Sequence, residues 1–329
     1  MGEDRHMRVL VALIGAFSLL GAGAAYARVV PDPGIAFTIS DSRVTESSGL
    51  ALSTRHPGVV YTHNDSGGSA AIYAIGPDGR TRATLTVSRA YNRDWEGIAV
   101  GRDQAGPAIF VGDIGDNAGG AQPYVTVYRV PEPARLADQT LAATAFRLKY
   151  EDGPRNAESL LVNPRTNRLY IASKQFGGGL YEAPANLRAD RVNVLRRVGA
   201  APLLATDGAY APDGRHFVIR TYYAAHIYSA PGRLLRIVSL PNQEQGESIT
   251  YSADGHSLLA GSEGPRSPVY RVPLPGDASS EPGSAASSPP AAAGDPAARS
   301  DGSGVRSAVL LGVVAIGGFF AYRRLRGRS

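Results

Sequence analysis

Between residues 46 and 273 apolar residues come in short runs rich in Val, Ile, Leu and Ala, each bounded by Gly, Pro, Asp or Asn. Runs of this kind read as strands joined by tight turns. The stretch Asp94 to Asn117, DWEGIAVGRDQAGPAIFVGDIGDN, shows the unit: apolar runs at Gly97 to Val100 and Ala108 to Gly112, a Gly-rich turn between them, and carboxylates at both ends. Folded as a hairpin, it brings Asp94 and Glu96 beside Asp113, Asp116 and Asn117.

The same pattern recurs five times. First strands start at Ser48-Gly49-Leu50-Ala51, Glu96-Gly97-Ile98-Ala99, Glu158-Ser159-Leu160-Leu161, Asp207-Gly208-Ala209-Tyr210 and Glu247-Ser248-Ile249-Thr250, and four of the five open with an acid. Turns follow at 56–58, 103–107, 163–167, 212–214 and 253–255, then a second strand, then a third carrying Tyr73, Tyr128, Tyr181, Tyr228 or Tyr270. The starts lie 48, 62, 49 and 40 residues apart, near the period of propeller blades. Fourth strands fit Arg82 to Val87 and Ala145 to Tyr150. The last repeat lacks its fourth strand, and Ile35 to Ser40 precedes the first repeat without a partner. Ring closure by that N-terminal strand solves both problems and leaves only short edges. The fold expected is therefore an all-β propeller of five blades, or six if a degenerate one lies within Pro133 to Pro154 or Asn186 to Leu204. The third-strand tyrosines read as packing between blades.

The ends follow other patterns. Residues 1–27 have a basic start at Arg5 and Arg8, an apolar run from Val9 to Leu20 and small residues ending Ala25-Tyr26-Ala27, the layout of a secretory signal peptide cleaved after Ala27, or of an uncleaved anchor. Residues 276–304 are almost wholly Ala, Ser, Pro, Gly and Asp, a composition that cannot bury a core and reads as a disordered stalk. Within 305–329, Ser307 to Tyr322 is a continuous apolar run; as a helix it rises about 24 Å against a hydrocarbon core of about 30 Å, a deficit that snorkelling arginines cover. Arg323, Arg324, Arg326 and Arg328 favour a cytoplasmic C-terminus. The expectation is a single-pass cell-membrane protein with residues 28–275 outside the cell.

Charge and cysteine content narrow the chemistry. The formal charge of +5 belongs to the C-terminal arginines, and residues 28–304 are neutral, so the basic pI gives no support to nucleic-acid binding. The absence of cysteine rules out disulfides and thiolate metal sites.

In a four-stranded antiparallel blade the start of the first strand and the loop after the second share one face nearest the axis. Five blades therefore gather Glu46, Asp94, Glu96, Glu158, Asp207 and Glu247 from strand starts at one channel mouth. His63, Asn64, Asp65, Asp113, Asp116, Asn117, Lys174, Arg220, Tyr222 and Glu263 join them from loops. So many carboxylates need a positive partner. Lys174 and Arg220 supply charge, and so would Ca²⁺, which takes six to eight oxygens. The loops at 63–68 and 112–120, rich in Asp, Asn and Gly, suit such a cation; turn capping competes evenly with it for Asp113, Asp116 and Asn117 and is the preferred reading for Asp65. A mouth of this kind binds a ligand or partner through Glu46, Asp65, Asp94, Lys174, Asp207 and Arg220. Alternatively it hydrolyses a phosphoester or glycan with Glu96, Glu158, Glu247 or His63 as acid or base. No GxSxG, HExxH or phosphate-loop pattern is present.

The motifs ESSGLALS, HNDSG, DWEGIAV, VGDIGDN, YEDGPRNAESLLVNP and YIASKQ resemble those of actinobacterial secreted, often membrane-anchored propeller proteins. More distantly the chain is similar to TolB-like propellers and to esterase-like, phytase-related propellers. The resemblance to the phytase-related group implies Ca²⁺-assisted phosphoester hydrolysis, with Asp94, Glu96 and the loop from Asp113 to Asn117 as the matching positions.

Overall fold

A computed structural model describes residues 32–275, apart from 104, 118 and 119. The signal peptide, stalk and anchor expected at 1–27, 276–304 and 305–329 lie outside the described residues. Among the described residues every regular element is a strand, and no helix is long and apolar enough to cross a membrane.

The strands form antiparallel four-stranded units in chain order. The first holds β2 (Ala51–Leu52), β3 (Val60–Thr62), β4 (Ala71–Ile75) and β5 (Thr81–Ser88). The second holds β6 (Trp95–Asp103), β7 (Gly106–Asp113), β8 (Val125–Pro131) and β10 (Thr144–Tyr150), with β9 (Gln139–Ala142) leaving it to pair in parallel with β5. The third holds β11 (Ala157–Val162), β12 (Leu169–Ser173), β13 (Gly179–Glu182) and β14 (Asn193–Ala200). The fourth holds β15 (Asp207–Tyr210), β16 (Phe217–Arg220), β17 (Ala224–Ala230) and β18 (Arg233–Ser239). The last holds β19 (Gly246–Tyr251), β20 (Ser257–Ser262) and β21 (Pro268–Pro273), and its fourth member is β1 (Gly34–Thr38), antiparallel to β21 through Gly34–Arg271 and Thr38–Pro268.

First strands lie side by side in a cycle: β2 against β6, β6 against β11, β11 against β15, β15 against β19, and β19 against β2. Close approach explains small residues there. A Cβ on Gly97 of β6 would stand 2.7 Å from the Leu160 amide nitrogen of β11. Each pair of neighbouring units encloses its own apolar core. One contains Phe110, Val127 and Leu148 against Leu160, Ile171 and Leu195; another joins Leu50 and Val60 to Leu259 and Val269. This all-β, cyclic arrangement is propeller-like.

Third-strand tyrosines pack in these cores: Tyr181 meets Tyr150 edge-on at 4.8 Å and Tyr228 stacks on Phe217 at 5.0 Å. The turns take the backbone their residues favour, with Gly214 at φ 66° and Gly255 at φ 71°. The stretches 133–154 and 186–204, weighed as a hidden sixth repeat, supply β9, β10 and β14. Strands β10 and β14 pair in parallel, so the second and third units join edge to edge as one eight-stranded sheet.

Register fixes which residues share an end. Trp95 pairs with Asp113, Ala157 with Ser173, Asp207 with Arg220, Gly246 with Ser262, and an isolated bridge links Ser47 to Asn64. Strand starts and second loops thus meet at one face. Strand β21 runs away from it, so the described chain ends at the opposite face.

Candidate functional site

At that face Asp65, from the β3–β4 loop, meets Asp94 and Glu96, from the entry to β6. One carboxylate oxygen from each lies within 4.8 Å of the others, and Asp94 and Glu96 are buried. The local sequence dictates this convergence. The Trp95 amide donates to the Asp65 carbonyl at 2.9 Å, which ties the two segments together, and Trp95 itself is fully buried against the His63 ring. Gly115 closes the floor, since any Cβ there would sit 2.3 Å from Asp94 Oδ2 and 2.7 Å from Glu96 Oε1.

Further carboxyls surround the trio. Ser48 Oγ donates to Glu96 Oε2 at 3.2 Å and lies 3.4 Å from Glu247 Oε2, linking the second and last units through the first. Gln245 Nε2 donates to Glu247 Oε1 at 3.1 Å. Lys174 Nζ is ion-paired with Glu158 Oε1 and lies 5.2 Å from the centre of the Tyr222 ring.

Burial with like charge raises the pKa of four of these acids. Asp65 is pushed up to about 8 by burial and then by Asp94. Glu158 is pushed up to about 8 by burial, against the pull of Lys174. Glu96 is raised well above the usual range by burial and Glu158, and Glu263 rises to about 10 through burial and Glu247. Burial alone would discharge Lys174, but Glu158 and Glu247 outweigh it and hold the ammonium charged. Two buried carboxylate oxygens, Asp65 Oδ1 and Glu158 Oε2, have no hydrogen-bond partner among the described residues.

The other expected site residues have different surroundings. Asp207 is wholly buried and accepts backbone N–H groups from Leu50 at 3.2 Å, Ile249 at 2.7 Å and Gly208 at 2.7 Å, stitching β2, β15 and β19 together. Arg220, also wholly buried, donates to the Ser248 and Gly261 carbonyls at 2.7 and 2.8 Å and to Gln243 Oε1 at 2.8 Å. Burial lowers its pKa to about 10. Glu46 is half-buried on the approach to β2, and its carbonyl accepts the Asp65 amide at 3.1 Å. His63 is buried and held neutral, its pKa lowered to about 4 by burial, with Nδ1 3.1 Å from the Asn64 carbonyl.

The loop from Asp113 to Asn117 is committed largely to hydrogen bonds. Asp113 Oδ1 accepts the Asp94 amide at 3.1 Å and pairs with Arg93, Asp116 Oδ2 accepts the Gln122 amide at 2.9 Å, and Asn117 Nδ2 donates to Asp94 Oδ2 at 3.4 Å. The loop buttresses Asp94, while among the described residues the carboxylates close enough to share an ion are Asp65, Asp94 and Glu96. Sequence reading did not single out Gly115 or Ser48. The signal for Gly115 was the second glycine of GDIGD, at the point where backbone passes under two acids.

The cluster fits a hard divalent cation: its donors are all oxygens, its orphaned carboxylate oxygen on Asp65 lacks a proton donor, and burial with neighbouring charge pushes the Asp65 and Glu96 carboxyls up. The residues that could hold such an ion are Asp65, Asp94 and Glu96.

No model of a known protein family matches the chain, and no curated protein matches it. Among solved structures, the chain is similar to a gluconolactonase from Xanthomonas campestris described as important in glucose secondary metabolic pathways, at 14% identity and a TM-score of 0.45, over 72% of this chain and 89% of that one.

Proposed function

We propose that the protein is a five-bladed propeller that binds calcium at Asp65, Asp94 and Glu96 and uses this mouth to capture an external ligand or partner. The observation that carries the reading is the buried carboxylate trio with its oxygens within 4.8 Å of one another. Five four-stranded units in a cycle support the blade count. Residues 1–27 and 305–329 support a body secreted across the membrane and anchored at its outer surface.

Capture is supported by the distribution of aromatics. Among the described residues the exposed aromatic side chains are Tyr91 at 71%, Tyr124 at 43%, Phe176 at 78% and Tyr223 at 69%. All four stand on mouth-face loops: β5–β6, β7–β8, β12–β13 and β16–β17. Exposed aromatics around one opening mark a recognition surface. The test is a thermal melt: added Ca²⁺ raises the midpoint of the folded protein by mass action and EDTA reverses it. No shift with Ca²⁺ overturns the metal reading.

A second reading is hydrolysis of a phosphoester or glycan. It is favoured by Glu158, which keeps its proton to about pH 8 beside an ammonium and so has the form of a general acid. Turnover that survives repeated purification and disappears in Glu158→Gln supports it; the absence of turnover across both substrate classes leaves capture alone.

A further inference from the structure

The third unit carries a basic cleft on the face away from the acids. It encloses about 560 Å³, and its walls include Arg168, Arg188, Arg191 and Arg196 with Glu182 as the one acid. Arg168 is occupied by Glu182 at 3.6 Å and the Ala183 carbonyl at 3.2 Å, and Arg188 grips Asp190 at 2.8 Å. Arg191 and Arg196 are exposed and have no ion pair among the described residues. Lys149 is exposed beside the cleft, paired in register with Val194 of its wall.

The arginines are held there by a built loop. Asn193, buried at the start of β14, accepts the Arg188 amide at 2.9 Å and donates to the carbonyls of Arg188 at 2.9 Å and Arg147 at 3.0 Å. Residues 188–193 are thereby fixed to β10, so the backbone that carries Arg188 and Arg191 is held in place. Like charges gathered in one cleft repel unless an anion joins them. Guanidinium groups match phosphate oxygens in charge and in paired hydrogen-bond geometry.

We propose that this cleft binds a phosphate group, with Arg191 and Arg196 as its main contacts. The phosphate belongs either to a soluble ester or polyphosphate or to a lipid headgroup. This site is separate from the acidic mouth and does not depend on calcium.

The test uses the full chain in uncharged detergent with a chelator present, observed by ³¹P NMR. One arm adds inorganic pyrophosphate and the other dihexanoyl phosphatidylglycerol. Binding broadens the phosphorus line in at least one arm, and Arg191→Ser/Arg196→Ser weakens it at least tenfold while the thermal midpoint stays in place. Broadening by pyrophosphate alone assigns a soluble ligand, and broadening by the lipid alone assigns a headgroup. No broadening in either arm overturns the proposal, as does broadening unchanged in the double variant.

Discussion

Gly115 and Asp94 are in contact so close that position 115 has no room for a side chain: a Cβ would stand 2.3 Å from Asp94 Oδ2. Gly115 is not among the glycines with positive φ, so alanine suits its backbone and the cost falls on the carboxylates. Gly115→Ala therefore displaces Asp94 and Glu96 from the shared point. Calcium affinity falls at least tenfold, about 1.4 kcal/mol, while the far-UV spectrum is unchanged. A calcium titration of folded Gly115→Ala checks this, and wild-type affinity would refute it.

The pH dependence of stability follows from the raised carboxyls. Asp65 and Glu158 release their protons near pH 8 in the folded body, whereas an unfolded chain releases them at about pH 4. In between, the folded state binds more protons, so the stabilisation is complete below the unfolded value and is lost as pH rises through 8. The metal-free midpoint should fall by several degrees from pH 6 to pH 9. Saturating calcium, which replaces the protons, should flatten the fall. Melts at four pH values in chelator and in calcium read both slopes; a flat chelator curve would speak against a protonated cluster.

Lys174 is the ammonium that faces these acids. Removing one member of a buried ion pair leaves the other uncompensated, at a cost of about 3 kcal/mol. At pH 9 without metal, where Glu158 has given up its proton, Lys174→Met should lose about that much in a urea melt, and Lys174→Met/Glu158→Gln should regain part of it. A neutral result for the single variant would mean that Glu158 is discharged by its surroundings alone.

Asp207 separates framework from site. Its carboxylate collects three backbone N–H groups at the junction of β2, β15 and β19. Asp207→Asn turns an amide donor toward donors, and the loss should be about 2 kcal/mol or more. The calcium affinity of the folded fraction should stay at the wild-type value. A variant that folds normally but binds calcium poorly would move Asp207 into the site.

Much of the architecture is legible in the chain because strand and turn signals are local. The Asp-Gly turns at 213–214 and 254–255, the runs from Gly97 and Ala108, and an N-terminal strand short of partners all have direct counterparts in the structure. The strap β9 and the parallel β10–β14 pairing were not legible, since nothing local in Gln139–Ala142 says that it crosses to β5.

The acids were legible as a convergent set, but their division of labour was not. Asp207, Arg220 and Asp113 look like ligands in sequence, yet their hydrogen bonds go to backbone groups and neighbouring side chains. Asp65 resembles a turn cap in HNDSGG, yet its Oδ1 is buried and unpartnered among the described residues. Burial and the third dimension decide between those roles.

Asp65, Asp94 and Glu96 are proposed to share one cation. The most direct measurement is a calorimetric Ca²⁺ titration of chelator-stripped full-length protein beside Asp94→Asn, with metal content of the same samples. The wild type should take up one ion per chain, and Asp94→Asn should lose binding with the fold retained. No bound ion in the wild type, or undiminished binding in Asp94→Asn, would contradict it.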